Sequence, residues 1–198
     1  MSHVVAICGM MGSGKSTIVK MLRSHFTDCV VLHEDDFNSA PMKSVAEVQN
    51  WWNNGANVDE FDLSALGAKL KCEAEAANVP ENQIVLLETQ FGRHHSELRP
   101  WIDLQIWIEV DADIAFARKV SQISRQMQND NEAHSVAGSL QWISEFCDSY
   151  LQTTRKLFIQ QRQQVGQQSD ERIDGSGCPE DVCEQFLTIL SPLTNPST

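Results

Sequence analysis

Residues 9 to 16 read Gly9-Met10-Met11-Gly12-Ser13-Gly14-Lys15-Ser16, two glycines separated by four residues and followed by Lys and a hydroxyl residue. The segment lies between the apolar run Val4–Cys8 and a stretch in which Ile18, Val19, Leu22 and Phe26 recur at helical spacing. Strand, glycine-rich turn and helix in that order make a cradle for phosphate. Glycine allows positive φ and leaves no Cβ in the way, so backbone N–H groups curl around an anion. The N-terminus of the following helix adds partial positive charge. The predicted nucleotide-binding set is Gly9, Met11, Gly12, Ser13, Gly14, Lys15, Ser16 and Thr17. Within it Lys15 reaches the β- and γ-phosphates, and the Ser16 hydroxyl ligates Mg²⁺.

Short apolar runs alternate with helical patterns along the rest of the chain. Strands are predicted at Val4–Cys8, Cys29–Leu32, Ile84–Leu87 (after Asn82) and Leu104–Ile108, with a weak last one at Arg172-Ile173. Helices are predicted over about Lys15–His25, Leu63–Ala77, a segment opened by Asp111, Leu140–Gln164 and Pro179–Leu190. The Asn- and Trp-rich stretch between Phe37 and Phe61 shows no clear period. Residues 121–137 are mostly polar and read as a helical excursion or a lid, with the lid placed at about 119–138. The tail from Pro192 to Thr198 reads as unstructured. The alternation implies an α/β fold: a mostly parallel sheet of about five strands, helices on both faces and a lid, in a single domain over residues 1–191.

Composition narrows the function. Lys and Arg total 15 against 27 Asp and Glu, a net charge of −12, which argues against a nucleic-acid partner because phosphate backbones are held by clustered cations. No run approaches 18 apolar residues, so no membrane-spanning helix is expected. The N-terminus lacks the basic region and cleavage site of a signal peptide. None of the six cysteines forms a Cys-x-x-Cys pair, and reduced thiols in a cytoplasmic protein are the expected state. No Asn-Lys-x-Asp pattern for guanine occurs, and the strand Ile84–Leu87 ends in Glu88 where a motor ATPase would carry Asp.

Several further segments resemble the uridine kinase and nicotinamide riboside kinase group of P-loop kinases. His33-Glu34-Asp35-Asp36-Phe37 stands where that group carries a Gln-Asp-x-Phe stretch, and Phe61-Asp62-Leu63 where it has an aromatic-Asp pair opening a helix. Leu86-Leu87-Glu88 matches its strand ending in Glu, and Arg118 and Arg125 fall near its lid arginines. The resemblance spans roughly residues 3–126. It implies a three-layer P-loop fold and transfer of the γ-phosphoryl of ATP, with Mg²⁺, to a hydroxyl of a small-molecule acceptor, a nucleoside first.

The resemblance also assigns roles. Lys15 neutralises developing charge. Asp35 accepts the proton of the attacking hydroxyl, a role adjacent Asp36 shares the chemistry for; Asp35 as an ordinary turn residue is the bland alternative. Glu88 and Ser16 hold Mg²⁺, and Arg118 and Arg125, with Lys119 nearby, screen the migrating group. Asp35, Asp36, Phe37, Asp62 and Arg93 line the acceptor side. Against these stand an N-cap role for Asp62, surface positions for the lid arginines and a solvated loop for Arg93. Thr89 departs from the group, which follows its Glu with Gly. Trp51 and Trp52 either stack on a base or seal a core edge, and His94 and His95 read as surface residues. Kinases for other small metabolites (a sugar acid, pantothenate), a nucleotide-binding switch and an interaction protein on the same fold remain the rivals.

Residues 34 to 62 hold seven acidic side chains against Lys43 alone, half of the net charge. A field of that sign disfavours an anionic acceptor.

Overall fold

The structure, a computed structural model, describes residues 2–38, 44–76, 83–129 and 136–194. In chain order the elements are β1 (His3–Gly9), α1 (Lys15–His25), β2 (Cys29–His33), α2 (Val45–Asn53), α3 (Ser64–Ala74), β3 (Ile84–Thr89), β4 (Leu104–Glu109), α4 (Ala112–Asn129), α5 (Val136–Ser149), α6 (Arg155–Gln161), β5 (Glu171–Asp174) and α7 (Pro179–Thr194). The five strands form one sheet in the order β2-β3-β1-β4-β5, every pair parallel. Parallel neighbours need long crossovers, and the helices supply them.

Consecutive residues on the central strands are all removed from water: Val4 to Cys8, Val85 to Leu87 and Ile106 to Ile108. Successive side chains point to opposite faces of a strand, so unbroken burial means that helices cover both faces. The fold is the expected three-layer α/β arrangement. It brings the C-terminal ends of β1, β2 and β3 to one edge, with His33 and Ile7 both level with Glu88 in the register. Ligands bind at that edge of open parallel sheets.

Three helical features depart from the sequence reading. The stretch between Phe37 and Phe61 contains α2, opened by a capping box in which Ser44 Oγ accepts from the Glu47 N–H and the Glu47 carboxylate accepts from the Ser44 N–H. The long helix predicted over Leu140–Gln164 begins at Val136 and is broken by two π-helical segments, Tyr150–Thr154 and Arg162–Gly166. The last helix runs past Leu190 to Thr194, with Pro192 inside it. Ala77, Asn82 and residues 130–135 of the expected lid lie outside the described residues, as does the tail from 195 onward.

Trp51 is buried, donates Nε1–H to the Asn57 carbonyl at 2.8 Å and meets Phe61 edge-on at 5.6 Å. It seals a core edge. His95 is not a surface residue: it is 1% exposed, with Nε2 2.9 Å from the Phe61 carbonyl oxygen. His94 is half-buried. All six cysteines are unpaired, Cys8 and Cys183 buried and Cys72 and Cys178 exposed.

Candidate active site

The glycine-rich turn leaves β1 and enters α1 at the sheet edge. Gly12 and Gly14 take φ values of 84° and 102°, in the left-handed region that glycine enters without strain. Gly12 also packs against backbone: a Cβ there would run into the Ala115 carbonyl and lie 2.9 Å from its carbon. Gly12→Ala therefore carries both a backbone penalty and a clash that no side-chain movement relieves. It is expected to weaken nucleotide binding at this turn at least tenfold, on the order of 1.4 kcal/mol or more, read by calorimetric titration of both proteins with ATP.

Lys15 is buried, and its Nζ donates to the carbonyls of Gly9 at 2.9 Å and Met10 at 3.2 Å. Burial pulls its pKa below the ordinary lysine value, opposed by the carboxylates of Glu88, Glu34 and Asp35 and by Cys8. Ser16 Oγ donates to Glu88 Oε1 at 2.6 Å, and His33 Nδ1 lies 2.6 Å from Glu88 Oε2. A hydroxyl and a carboxylate in contact beside a phosphate cradle are the hard oxygen donors that Mg²⁺ takes, so the residues present fit that ion.

These groups open on one cleft of about 760 Å³, within the range of small-molecule sites. Its floor is the glycine-rich turn with Lys15, Ser16 and Thr17, and one wall carries His33, Glu34, Asp35, Asp36 and Glu88. Arg118, Lys119 and Arg125, spaced along α4, line it as well. Asp35 and Asp36 are exposed to it from a short 3₁₀ turn, Glu34–Asp36. Arg118 is engaged there: it donates to the carbonyls of Gly175 at 2.7 Å and Ser176 at 3.0 Å. It thereby ties α4 to the loop that leads to Pro179, another residue of the cleft.

Three residues expected on the acceptor side do not line the cleft. Arg93 turns away from it, donating from Nη1 to Asp170 at 2.9 Å, from Nε to the Ile102 carbonyl at 3.2 Å and from Nη2 to the Asp103 carbonyl at 2.6 Å. Asp170 also accepts from the Gln105 N–H at 2.7 Å, so the pair staples the β4–β5 edge. Arg93→Met is expected to lower unfolding free energy by about 1–2 kcal/mol, the scale of lost charge-assisted hydrogen bonds, with steady-state kinetics unchanged. Denaturant titration and initial rates check both halves. Asp62 stands one residue before Leu63, the N-cap of α3, and its carboxylate accepts from Ser64 Oγ at 2.6 Å and from the Ser64 N–H at 3.1 Å. Those bonds hold its carboxyl below the usual aspartate range. Phe37 is half-buried and packs on the core.

Glu34 carries no role in the motifs above, yet it is 3% exposed and faces the cleft. Its Oε2 accepts from the Thr89 hydroxyl and from the Gln90 N–H at 3.0 Å. Burial pushes its pKa up to about 7, opposed by those two donors and by Lys15. The signal in the sequence was its place between strand β2 and Asp35.

No family model matches the chain. It is 30% identical over 115 residues to nicotinamide riboside kinase of Saccharomyces cerevisiae, covering 55% of this chain and 44% of the relative. It is 24% identical over 137 residues to a uridine kinase of Clostridium botulinum, covering 59% and 66% respectively. The matches thus span less than two thirds of either relative. Among solved structures, shikimate kinase from Aquifex aeolicus aligns at a TM-score of 0.50 and 16% identity over 95% of this chain and 96% of that one. A gluconokinase from Sinorhizobium meliloti aligns at 0.55 and 13% over 97% and 93%. Those two share the fold. By sequence the chain is thus similar, at low identity and over part of its length, to a nicotinamide riboside kinase and a uridine kinase, and by fold it is a three-layer α/β P-loop protein.

Proposed function

We propose that this protein is an ATP-dependent small-molecule kinase that transfers the γ-phosphoryl group to a hydroxyl of a nucleoside-type acceptor. The observation that carries the reading is the convergence on one cleft of the phosphate cradle, the Ser16–Glu88 pair and the Asp35–Asp36 turn. Phosphoryl transfer asks the protein mainly to position two substrates and to offset charge. Lys15 leaves its own loop carbonyls for the β- and γ-phosphates, where its ammonium regains an anionic partner. Asp35 accepts the proton of the attacking hydroxyl, orienting that oxygen in line with the γ-phosphorus. Ser16 and Glu88 would hold Mg²⁺, which would supply positive charge against the phosphates. Arg125 and Lys119 screen the migrating group, and Arg118 fixes the β5–α7 loop beside them. The segment at about 119–138 is the lid on this reading, residues 1–191 form one kinase domain, and reduced cysteines suit the cytoplasm.

The acceptor class follows from where the charge lies. Four carboxylates, those of Glu34, Asp35, Asp36 and Glu88, crowd one wall, while Lys15, Arg118, Lys119 and Arg125 supply the cations. The cationic part suits a triphosphate, and the acidic wall repels a second anion. Neutral or cationic nucleosides of the uridine or nicotinamide riboside kind fit it better than sugar acids or pantothenate. A panel of these acceptors at equal concentration tests the point. A kcat/KM at least about tenfold higher for the nucleosides is expected, roughly 1.4 kcal/mol of discrimination. A preference for the anions would overturn the acceptor class and leave the kinase reading standing.

A further inference from the structure

Thr89, the residue that follows Glu88 at the end of β3, is the one that meets Glu34. Thr89 ends β3, is 1% exposed, and uses its hydroxyl three times. It donates to Glu34 Oε2 and accepts from the N–H groups of Phe91 and Gly92, both at 3.1 Å. The Gln90 N–H donates to the same carboxylate oxygen. One buried side chain from the β2 turn thus gathers the first amides of the turn after β3. Asp35 is the next residue along from Glu34, and Glu88 immediately precedes Thr89. These two carboxylates sit on segments far apart in sequence, and Glu34 bridges the segments one residue away from each.

We propose that Glu34 is a positioning residue: through the Thr89 hydroxyl and the Gln90 amide it holds the segments bearing Asp35 and Glu88 in one fixed relation, without touching the reacting atoms. The proposal rests on the kinase reading for its kinetic consequence and on geometry alone for the link itself. The groups facing Glu34 are Lys15 from α1, Cys8 from β1, Asp35 from its own turn, and Thr89 with Gln90 from the end of β3. The link needs an acceptor oxygen at this place and does not need a full charge. A carboxyl whose pKa is about 7 is protonated part of the time near neutrality, and its carbonyl oxygen still accepts from both donors.

Three variants separate positioning from charge and from mere packing. Glu34→Gln keeps an acceptor oxygen, Glu34→Ala removes it, and Thr89→Val removes the hydroxyl at nearly constant volume. Glu34→Ala is expected to lower kcat about thirtyfold, the scale of a small misplacement of reacting groups, with KM for ATP within about twofold because Glu34 hydrogen-bonds Thr89 and Gln90 and not Lys15. Thr89→Val follows in the same direction, and Glu34→Gln stays within about threefold of wild type. Amide hydrogen exchange gives a readout that needs no turnover. The N–H groups of Gln90 to Gly92 exchange at least about tenfold faster in Glu34→Ala and Thr89→Val and at the wild-type rate in Glu34→Gln. Slowing in Glu34→Gln equal to that in Glu34→Ala would overturn the proposal, since charge would then be the active property. So would faster exchange in Glu34→Ala with kcat unchanged, which marks a purely structural bond, or exchange that none of the variants alters. If wild type itself transfers phosphate to no acceptor, the kinase reading fails. The exchange data then decide the link by themselves.

Discussion

Asp35→Asn is expected to lower turnover by about 10²- to 10⁴-fold, the usual range for loss of a positioned general base, while ATP affinity changes by no more than about twofold. The substitution is isosteric and keeps one acceptor oxygen, so the 3₁₀ turn at Glu34–Asp36 retains its backbone. What it removes is the ability to take the hydroxyl proton. On the proposed function ATP is held by the glycine-rich turn, Lys15 and Ser16, and the side-chain bonds of Lys15 and Ser16 go to Gly9, Met10 and Glu88, not to Asp35. Asp36 is the control, because it is equally exposed to the cleft. Successive residues of a 3₁₀ turn point about a third of a circle apart, so the two carboxylates do not substitute for each other. Initial rates together with calorimetric ATP binding test the pair. If Asp36→Asn produced the large loss and Asp35→Asn did not, the base would be Asp36.

Glu34→Gln is expected to make the protein more stable above neutral pH by on the order of 3 kcal/mol, and to change little at pH 5. The folded protein raises the Glu34 pKa from 4.5 to about 7 because the charged form is buried. Between those values the folded state holds a proton that the unfolded chain has released. The stability contributed by this group is therefore fully present below pH 4.5 and is lost as pH rises through about 7. Above that, wild type carries a buried negative charge offset only in part by Thr89, Gln90 and Lys15. Glutamine carries no charge at any pH and keeps the acceptor oxygen. Denaturant titrations of both proteins at pH 5 and pH 8 measure the difference directly. Parallel stability curves across that range would show that Glu34 ionises as easily in the fold as out of it.

The architecture was legible because parallel strands buried on both faces appear as continuous apolar runs, and Val4–Cys8, Ile84–Leu87 and Leu104–Ile108 are such runs. The phosphate cradle was legible because its residue types answer a local demand. Helix α2 was missed although Ser44-x-x-Glu47 is a capping-box signature; the Asn and Trp content around it hid a period of only two and a half turns. The two π-helical segments add a residue to a turn, which slips the 3.6 spacing and made one long uninterrupted helix the natural reading.

The residues whose surroundings the sequence does not announce are those whose partners are remote. Arg93 finds Asp170 seventy-seven positions away, and His95 finds the carbonyl of Phe61 across thirty-four. No local pattern announces either contact. Asp62 is the reverse case: its partner, Ser64, is two residues away, a contact within reach of a local pattern. Glu34 and Thr89 were visible as neighbours of expected site residues. Only the register of β2 beside β3, with His33 level with Glu88, brings them together.

The most direct test of the central claim is to follow both products when the protein is incubated with Mg²⁺, ATP labelled in its γ-phosphoryl group and a nucleoside. A phosphoryl transferase must release one ADP for each acceptor hydroxyl that gains the label, and must do so only when the acceptor is present. That stoichiometric, acceptor-dependent transfer is the expected result. ADP release at the same slow rate with and without every acceptor, with the label recovered as inorganic phosphate, would contradict it and mark a nucleotide-binding switch.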